Sequence, residues 1–144
     1  MLTTALRVTE SVDASAIAPL RRRTAGALAE QGVDEAIVAA IRLCVSEALA
    51  NATMHAYPSH SGLVEIAVEL DADDIVVTVR DEGVGLGGSM NRRDPDEGGL
   101  GLELIRKLTE TFRFTSQSGR GTEISMTFSR NVSTSAAVRQ LSPL

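Results

Sequence analysis

Residues 61–83 read "SGLVEIAVELDADDIVVTVRDEG". Val64, Ile66, Val68 and Leu70 alternate with Glu65, Ala67 and Glu69, the period-two pattern of a strand with one buried face. Asp71 to Asp74 supply turn chemistry, and "IVVTVRD" returns as a second strand. The stretch is a hairpin. Its strands are antiparallel neighbours, which argues against a doubly wound parallel sheet.

Upstream, residues 4–9 "TALRVT" form a short first strand. Asp13 is placed to cap a helix running to about Gln31, with Ile17, Leu20, Ala27 and Leu28 at core-facing spacing and Gly32 as its stop. Asp34 caps a second helix to about Tyr57, where Pro58 forbids continuation. Downstream, residues 83–99 are glycine-rich with little periodicity and read as a long loop. "LGLELIRKLTETF" is a third helix, and "RFTSQSGRGTEISMTFS" is another hairpin turning at Ser118-Gly119-Arg120-Gly121. The order β-α-α-β-β-loop-α-β-β predicts an α+β two-layer sandwich with a mixed, mostly antiparallel sheet and helices on one face. Residues 1–130 are expected to form one domain, and 131–144, Ser-rich and ending in Ser-Pro-Leu, a flexible tail.

The composition allows this. A chain of 144 residues, 43% hydrophobic and 23% charged, can bury a single core. No apolar run approaches the ~18 residues of a membrane span, and "MLTTALRVTE" lacks a signal-peptide layout. Cys44 is the sole cysteine, so no internal disulfide forms, and a cytoplasmic location is expected. Both glycosylation sequons, at Asn51 and Asn131, are then chance matches. A net charge of −5 argues against general nucleic-acid binding but leaves room for one nucleotide held by backbone N–H groups and a metal.

Four stretches could carry chemistry. In "SEALANATMHAY", residues 46–57, Glu47, Asn51 and His55 stand four apart and share a helix face. Ile41, Cys44, Val45, Ala48, Leu49 and Ala52 occupy the neighbouring arc, so the polar trio rims the buried face. Read alone, the stripe is equally a solvated one. Cys44, His55 and His60 match no zinc spacing, whereas an amide such as Asn51 suits magnesium.

Next, "DEGVGLGG" follows a strand. Gly83, Gly85 and Gly88 match G-x-G-x-x-G in form, but no helix follows and the strand belongs to a hairpin, so the dinucleotide reading fails on context. What remains is Asp81 at a strand end, then glycines that let a ligand approach the backbone. Third, Gly98, Gly99 and Gly101 run into an amphipathic helix whose first N–H groups favour an anion, or merely form a loose loop feeding that helix. Fourth, "GRGTEISMTF" places Gly119, Arg120, Gly121 and Thr122 at a turn that could serve the hairpin alone.

Their order is more specific than any one of them. Glu47…Asn51, then Asp81-x-Gly83-x-Gly85, Gly99-x-Gly101 and Gly121-Thr122 resemble the N box and three glycine boxes of the GHKL ATPase superfamily. Over roughly residues 5–130 the chain is similar to the anti-sigma factor serine kinases of the RsbW and SpoIIAB type, which have the Bergerat fold. The resemblance implies ATP and Mg²⁺ as cofactors. It assigns Mg²⁺ to Asn51, the general base to Glu47, the adenine amino group to Asp81, and the close approach of the base to Gly83 and Gly85. Gly99 and Gly101 would close over the phosphates, and Thr122 would support the adenine end.

Arg92 and Arg93 fall in a lid shorter than in fuller family members, either meeting the γ-phosphate or solvated. Arg21, within Arg21-Arg22-Arg23, best fits an arginine that in the family contacts both sigma factor and antagonist; a solvated run is the alternative. The implied partners are a sigma factor and a STAS-domain anti-sigma factor antagonist, with a homodimer as the unit and no membrane or direct nucleic-acid contact. Two other readings stay open: a nucleotide-dependent binding module without phosphotransfer, and a histidine-kinase catalytic domain.

Overall fold

The computed structural model describes residues 2–53, 62–82, 100–117 and 121–141. Five strands, β1 (Thr3–Val12), β2 (Gly62–Leu70), β3 (Asp74–Asp81), β4 (Thr111–Gln117) and β5 (Gly121–Ser129), form one sheet in the order β1-β2-β3-β5-β4. The helices are α1 (Ile17–Glu30), α2 (Glu35–Asn51), α3 (Leu100–Leu108) and α4 (Ala136–Leu141). The α+β architecture matches the expectation. The sheet was expected to be mixed and mostly antiparallel, and every described pairing is antiparallel. The reason is topological: after α3 the chain enters β4 at the edge, and β5 then folds back between β4 and β3.

The alternation read from the sequence sets the two faces. Val64 pairs with Asp81, Ile66 with Val79 and Val68 with Val77, while across β5 Asp81, Val79 and Val77 meet Thr122, Ile124 and Met126. These apolar positions are buried in one core cluster with the helices. The opposite face carries Arg7, Glu65, Thr78, Arg80 and Ser125, as an antiparallel sheet with one solvated side requires.

Local chemistry fixes the helix ends. Asp13 caps a short 3₁₀ turn that leads into α1, its carboxylate accepting the Ser15 N–H at 2.8 Å. Leu20, Thr24 and Leu28 form the buried stripe of α1, which ends at Gly32 with φ +76°. Asp34 caps α2 by accepting the Ala36 N–H at 2.9 Å.

Two expectations change. The third helix stops at Leu108 instead of reaching Phe112: the Glu110 N–H donates to the Thr127 carbonyl at 2.7 Å instead of to a helical partner, and Thr111 enters β4. The segment from Asn131, read as a flexible tail, is structured through Leu141: α4 buries Ala137 and packs on α2, α3 and β5. The end of the predicted second helix beyond residue 53 lies outside the described residues.

Candidate functional site

α2 is the spine of the site. Its buried arc comprises Ile37, Ala40, Ile41, Cys44, Val45, Ala48 and Leu49, the small residues letting the helix lie close on its neighbours. Glu47 and Asn51 are half-buried on the rim of that arc, one turn apart. Burial, and secondarily the negative charge of Glu47, push the Cys44 thiol up to about 12.

Glu47 meets α3 at a residue without a side chain. A Cβ on Gly101 would lie 2.6 Å from Glu47 Oε2 and 3.4 Å from its Cβ and Cδ. The first turn of α3 therefore lies directly on the Glu47 carboxylate, in the space a side chain at residue 101 would take. That turn also presents N–H groups with no partner inside the helix, a favourable place for an anion.

Asn51 carries the second unusual feature. Its Nδ2 is buried and has no hydrogen-bond partner, the sole such side-chain atom among the described residues. A buried unpaired amide costs about 1–3 kcal/mol, so its presence beside Glu47 is what a residue waiting for a ligand would show. No group of three or more His, Cys, Asp or Glu side chains able to hold a metal occurs among the described residues. The unpaired nitrogen is a donor and would meet an acceptor such as a phosphate oxygen; a hard metal ion would instead take the amide oxygen Oδ1, which Asn51 can also supply.

Asp81 ends the apolar stripe of β3 with a buried carboxylate. Its Oδ1 accepts the Thr122 backbone N–H at 3.2 Å. Gly121, at φ +92°, crosses directly over the Asp81 main chain, and a Cβ there would overlap the Asp81 carbonyl oxygen. The family resemblance marks Asp81 and Thr122 as separate candidates in the sequence; the contact of the Asp81 carboxylate with the Thr122 main chain is visible only in the fold. So is the need for glycine at 121, whose signal in the sequence was only its place in the "GRGT" turn.

The arginine run divides. Arg21 faces α2, its Nη1 donating to Ser46 Oγ at 3.4 Å, and Ser46 in turn donates to the Arg42 carbonyl at 2.9 Å. Arg23 pairs with Glu10, and Arg22 is exposed. Arg21 thus touches the residue immediately before Glu47. The structure brings together Glu47, Asn51 and Gly101, and separately Asp81 with Thr122. Gly83, Gly85, Gly99, His55, His60, Arg92 and Arg93 lie outside the described residues. Among the described residues no helix is long and apolar enough to cross a membrane.

This arrangement has relatives. Residues 11–128 match the family model for the histidine kinase-like ATPase domain. The anti-sigma F factor of Pasteuria penetrans is 31% identical over 68% of this chain and 72% of its own length. That of Clostridium acetobutylicum is 28% identical over 60% of this chain and 66% of its own, so the chain spans just under two thirds of that relative. Among solved structures, the RsbU and RsbW domains of a Mycobacterium tuberculosis protein align with TM-score 0.63 and 26% identity, covering 85% of this chain and 31% of that one. A histidine kinase domain from the Erythrobacter litoralis blue-light-activated histidine kinase aligns with TM-score 0.52 and 31% identity, covering 64% of this chain and 44% of that one. The chain belongs to the histidine kinase-like ATPase domain family, in the branch that holds the anti-sigma F factors.

Proposed function

We propose that this protein is a cytoplasmic, ATP-dependent anti-sigma factor with serine kinase activity. It binds and blocks a sigma factor, and it phosphorylates a serine of a STAS-domain antagonist, so that only unphosphorylated antagonist releases the sigma factor. A homodimer is the proposed unit. The observation that carries the reading is the seating of the Glu47 carboxylate on Gly101 at the start of α3, with Asn51 one turn further along α2.

In this reading Asp81, at the buried end of β3, accepts the adenine amino group, with Gly83 and Gly85 allowing close approach of the ring and Thr122 closing that end. Gly99 and the first turn of α3 face the phosphates. Asn51 would hold Mg²⁺, which when bound neutralises charge on the phosphate oxygens. The serine hydroxyl oxygen bonds to the γ-phosphorus as the bond from that phosphorus to the β,γ-bridging oxygen breaks. ADP leaves with that electron pair, and Glu47 takes the hydroxyl proton. Arg21, resting on Ser46 next to the base, contacts the protein partners.

The test is transfer of label from γ-labelled ATP to a STAS-domain antagonist. Label on serine, lost in Glu47→Gln while ATP still binds, supports the kinase. Binding of ATP and antagonist without transfer favours a sequestering module. Label on a histidine of a partner favours the histidine-kinase reading.

A further inference from the structure

We propose that Glu110 and the short helix α4 are positioning elements for the site: they fix α3, and through it Gly101, against Glu47. The C-terminal segment then sets how firmly the nucleotide is held. This rests on the nucleotide-binding reading above.

Glu110 lies in the two-residue link between α3 and β4 and makes two different ties. Its backbone N–H donates to the Thr127 carbonyl at 2.7 Å, fixing the end of α3 to β5. Its exposed side chain reaches out instead, and Oε1 accepts the backbone N–H of Ala136, the first residue of α4, at 2.8 Å. A carboxylate at a helix start satisfies an otherwise orphaned donor and faces the positive end of the dipole. Glu110 is a cap delivered from 26 residues upstream.

α4 needs that help. It has six residues, far below the ~12–15 at which an isolated helix becomes marginal in water. Its other supports are local: Ser135 Oγ accepts the Val138 N–H at 3.2 Å, and Arg139 Nη1 donates to the Thr134 carbonyl at 3.0 Å. Docking supplies the rest. Ala137 and Ser135 are each 1% exposed, and α4 touches α2 and α3 together. These are the two helices that carry Glu47, Asn51 and Gly101.

The leverage follows from helix geometry. α3 has nine residues, about 12 Å from end to end at 1.5 Å per residue. If its C-terminal end loosens and it tilts by about 5°, its first turn moves by about 1 Å. Gly101 lies directly against the Glu47 carboxylate, so a movement of that size changes where that carboxylate can sit. A shift of that size at a catalytic constellation matters.

The experiment titrates a fluorescent ATP analogue into the full chain and into Glu110→Ala, Glu110→Gln and Ala137→Glu, with amide exchange followed over residues 100–108. Glu110→Ala and Ala137→Glu are expected to raise the dissociation constant about tenfold and to speed exchange in α3, with the sheet unaffected. Glu110→Gln keeps an acceptor oxygen for Ala136 and is expected to stay within about twofold of wild type. Wild-type affinity in a folded Glu110→Ala overturns the proposal, as does an equal loss in Glu110→Gln. Should Ala137→Glu fail to fold, the exposed Glu110 decides alone. A wild-type chain that binds no analogue overturns the nucleotide reading itself, and with it this inference.

Discussion

Gly121 and Asp81 are in main-chain contact across the β3–β5 ladder, so close that a Cβ on residue 121 would overlap the Asp81 carbonyl oxygen and lie 2.8 Å from its carbonyl carbon. The contact lets the next residue, Thr122, present its N–H to the Asp81 carboxylate. Gly121→Ala is therefore penalised twice, by the clash and by a φ of +92° that L side chains rarely adopt. A loss of at least about 2 kcal/mol in urea unfolding is expected, together with loss of nucleotide binding in whatever fraction stays folded.

Asp81→Asn separates the structural from the proposed recognition role of that side chain. The amide oxygen can still accept from Thr122, so the melting temperature should move by only a few degrees. An amide presents the adenine amino group with a weaker acceptor, and ATP affinity should fall at least about tenfold. Calorimetric titration with ATP and GTP checks it; unchanged ATP affinity and selectivity would remove Asp81 from the adenine site.

Gly101→Ala should behave in the opposite sense to Gly121→Ala. Residue 101 is the second of α3, where alanine is favoured over glycine by less than the ~1 kcal/mol of a helix interior, and the nearest obstacle is the far end of the Glu47 side chain, 2.6 Å away, which can swing aside. Stability should hold or rise, while phosphotransfer falls at least about tenfold because the proposed base is displaced. Thermal melts beside kinase assays read both.

Arg130 tests stability at the other end of the sheet. Its guanidinium donates to the Asp71 carbonyl at 2.9 Å and to the Gln31 carbonyl at 2.8 Å, joining the β2–β3 turn to the C-terminal end of α1. Arg130→Ala should cost about 1–3 kcal/mol in denaturant unfolding, with nucleotide affinity unchanged.

Cys44 gives a pH prediction. Folding raises its thiol from an ordinary 9.0 to about 12, chiefly by burial. Between those values the unfolded chain has lost a proton that the folded chain retains, so this contribution is whole below pH 9 and fades as pH rises toward 12. Wild type should lose stability over that window more steeply than Cys44→Ala. Equal slopes would show that the thiol does not carry the effect.

Much of this molecule follows from local pattern. Alternation at Val64–Leu70 dictates a strand with one buried face, Asp13 and Asp34 start helices by capping, Gly32 ends one, and the arc from Ile41 to Ala52 marks which side of α2 is core. The spacing of Glu47 and Asn51 follows from helix geometry alone. These are properties of residues near one another in the chain, and periodicity and capping act over one or two turns.

The tertiary structure decided what depends on distant segments meeting. That Gly101 lies on the Glu47 carboxylate, and that residue 121 must be glycine because the Asp81 main chain lies beneath it, is written in no local pattern. The same holds for the antiparallel pairing of every described strand, which follows from β5 folding back between β3 and β4. It holds too for residues 131–141, whose polar composition suggests a tail. Their helix exists because Glu110 caps it and because α2 and α3 offer Ala137 a place to be buried, a stabilisation no six-residue segment can supply for itself.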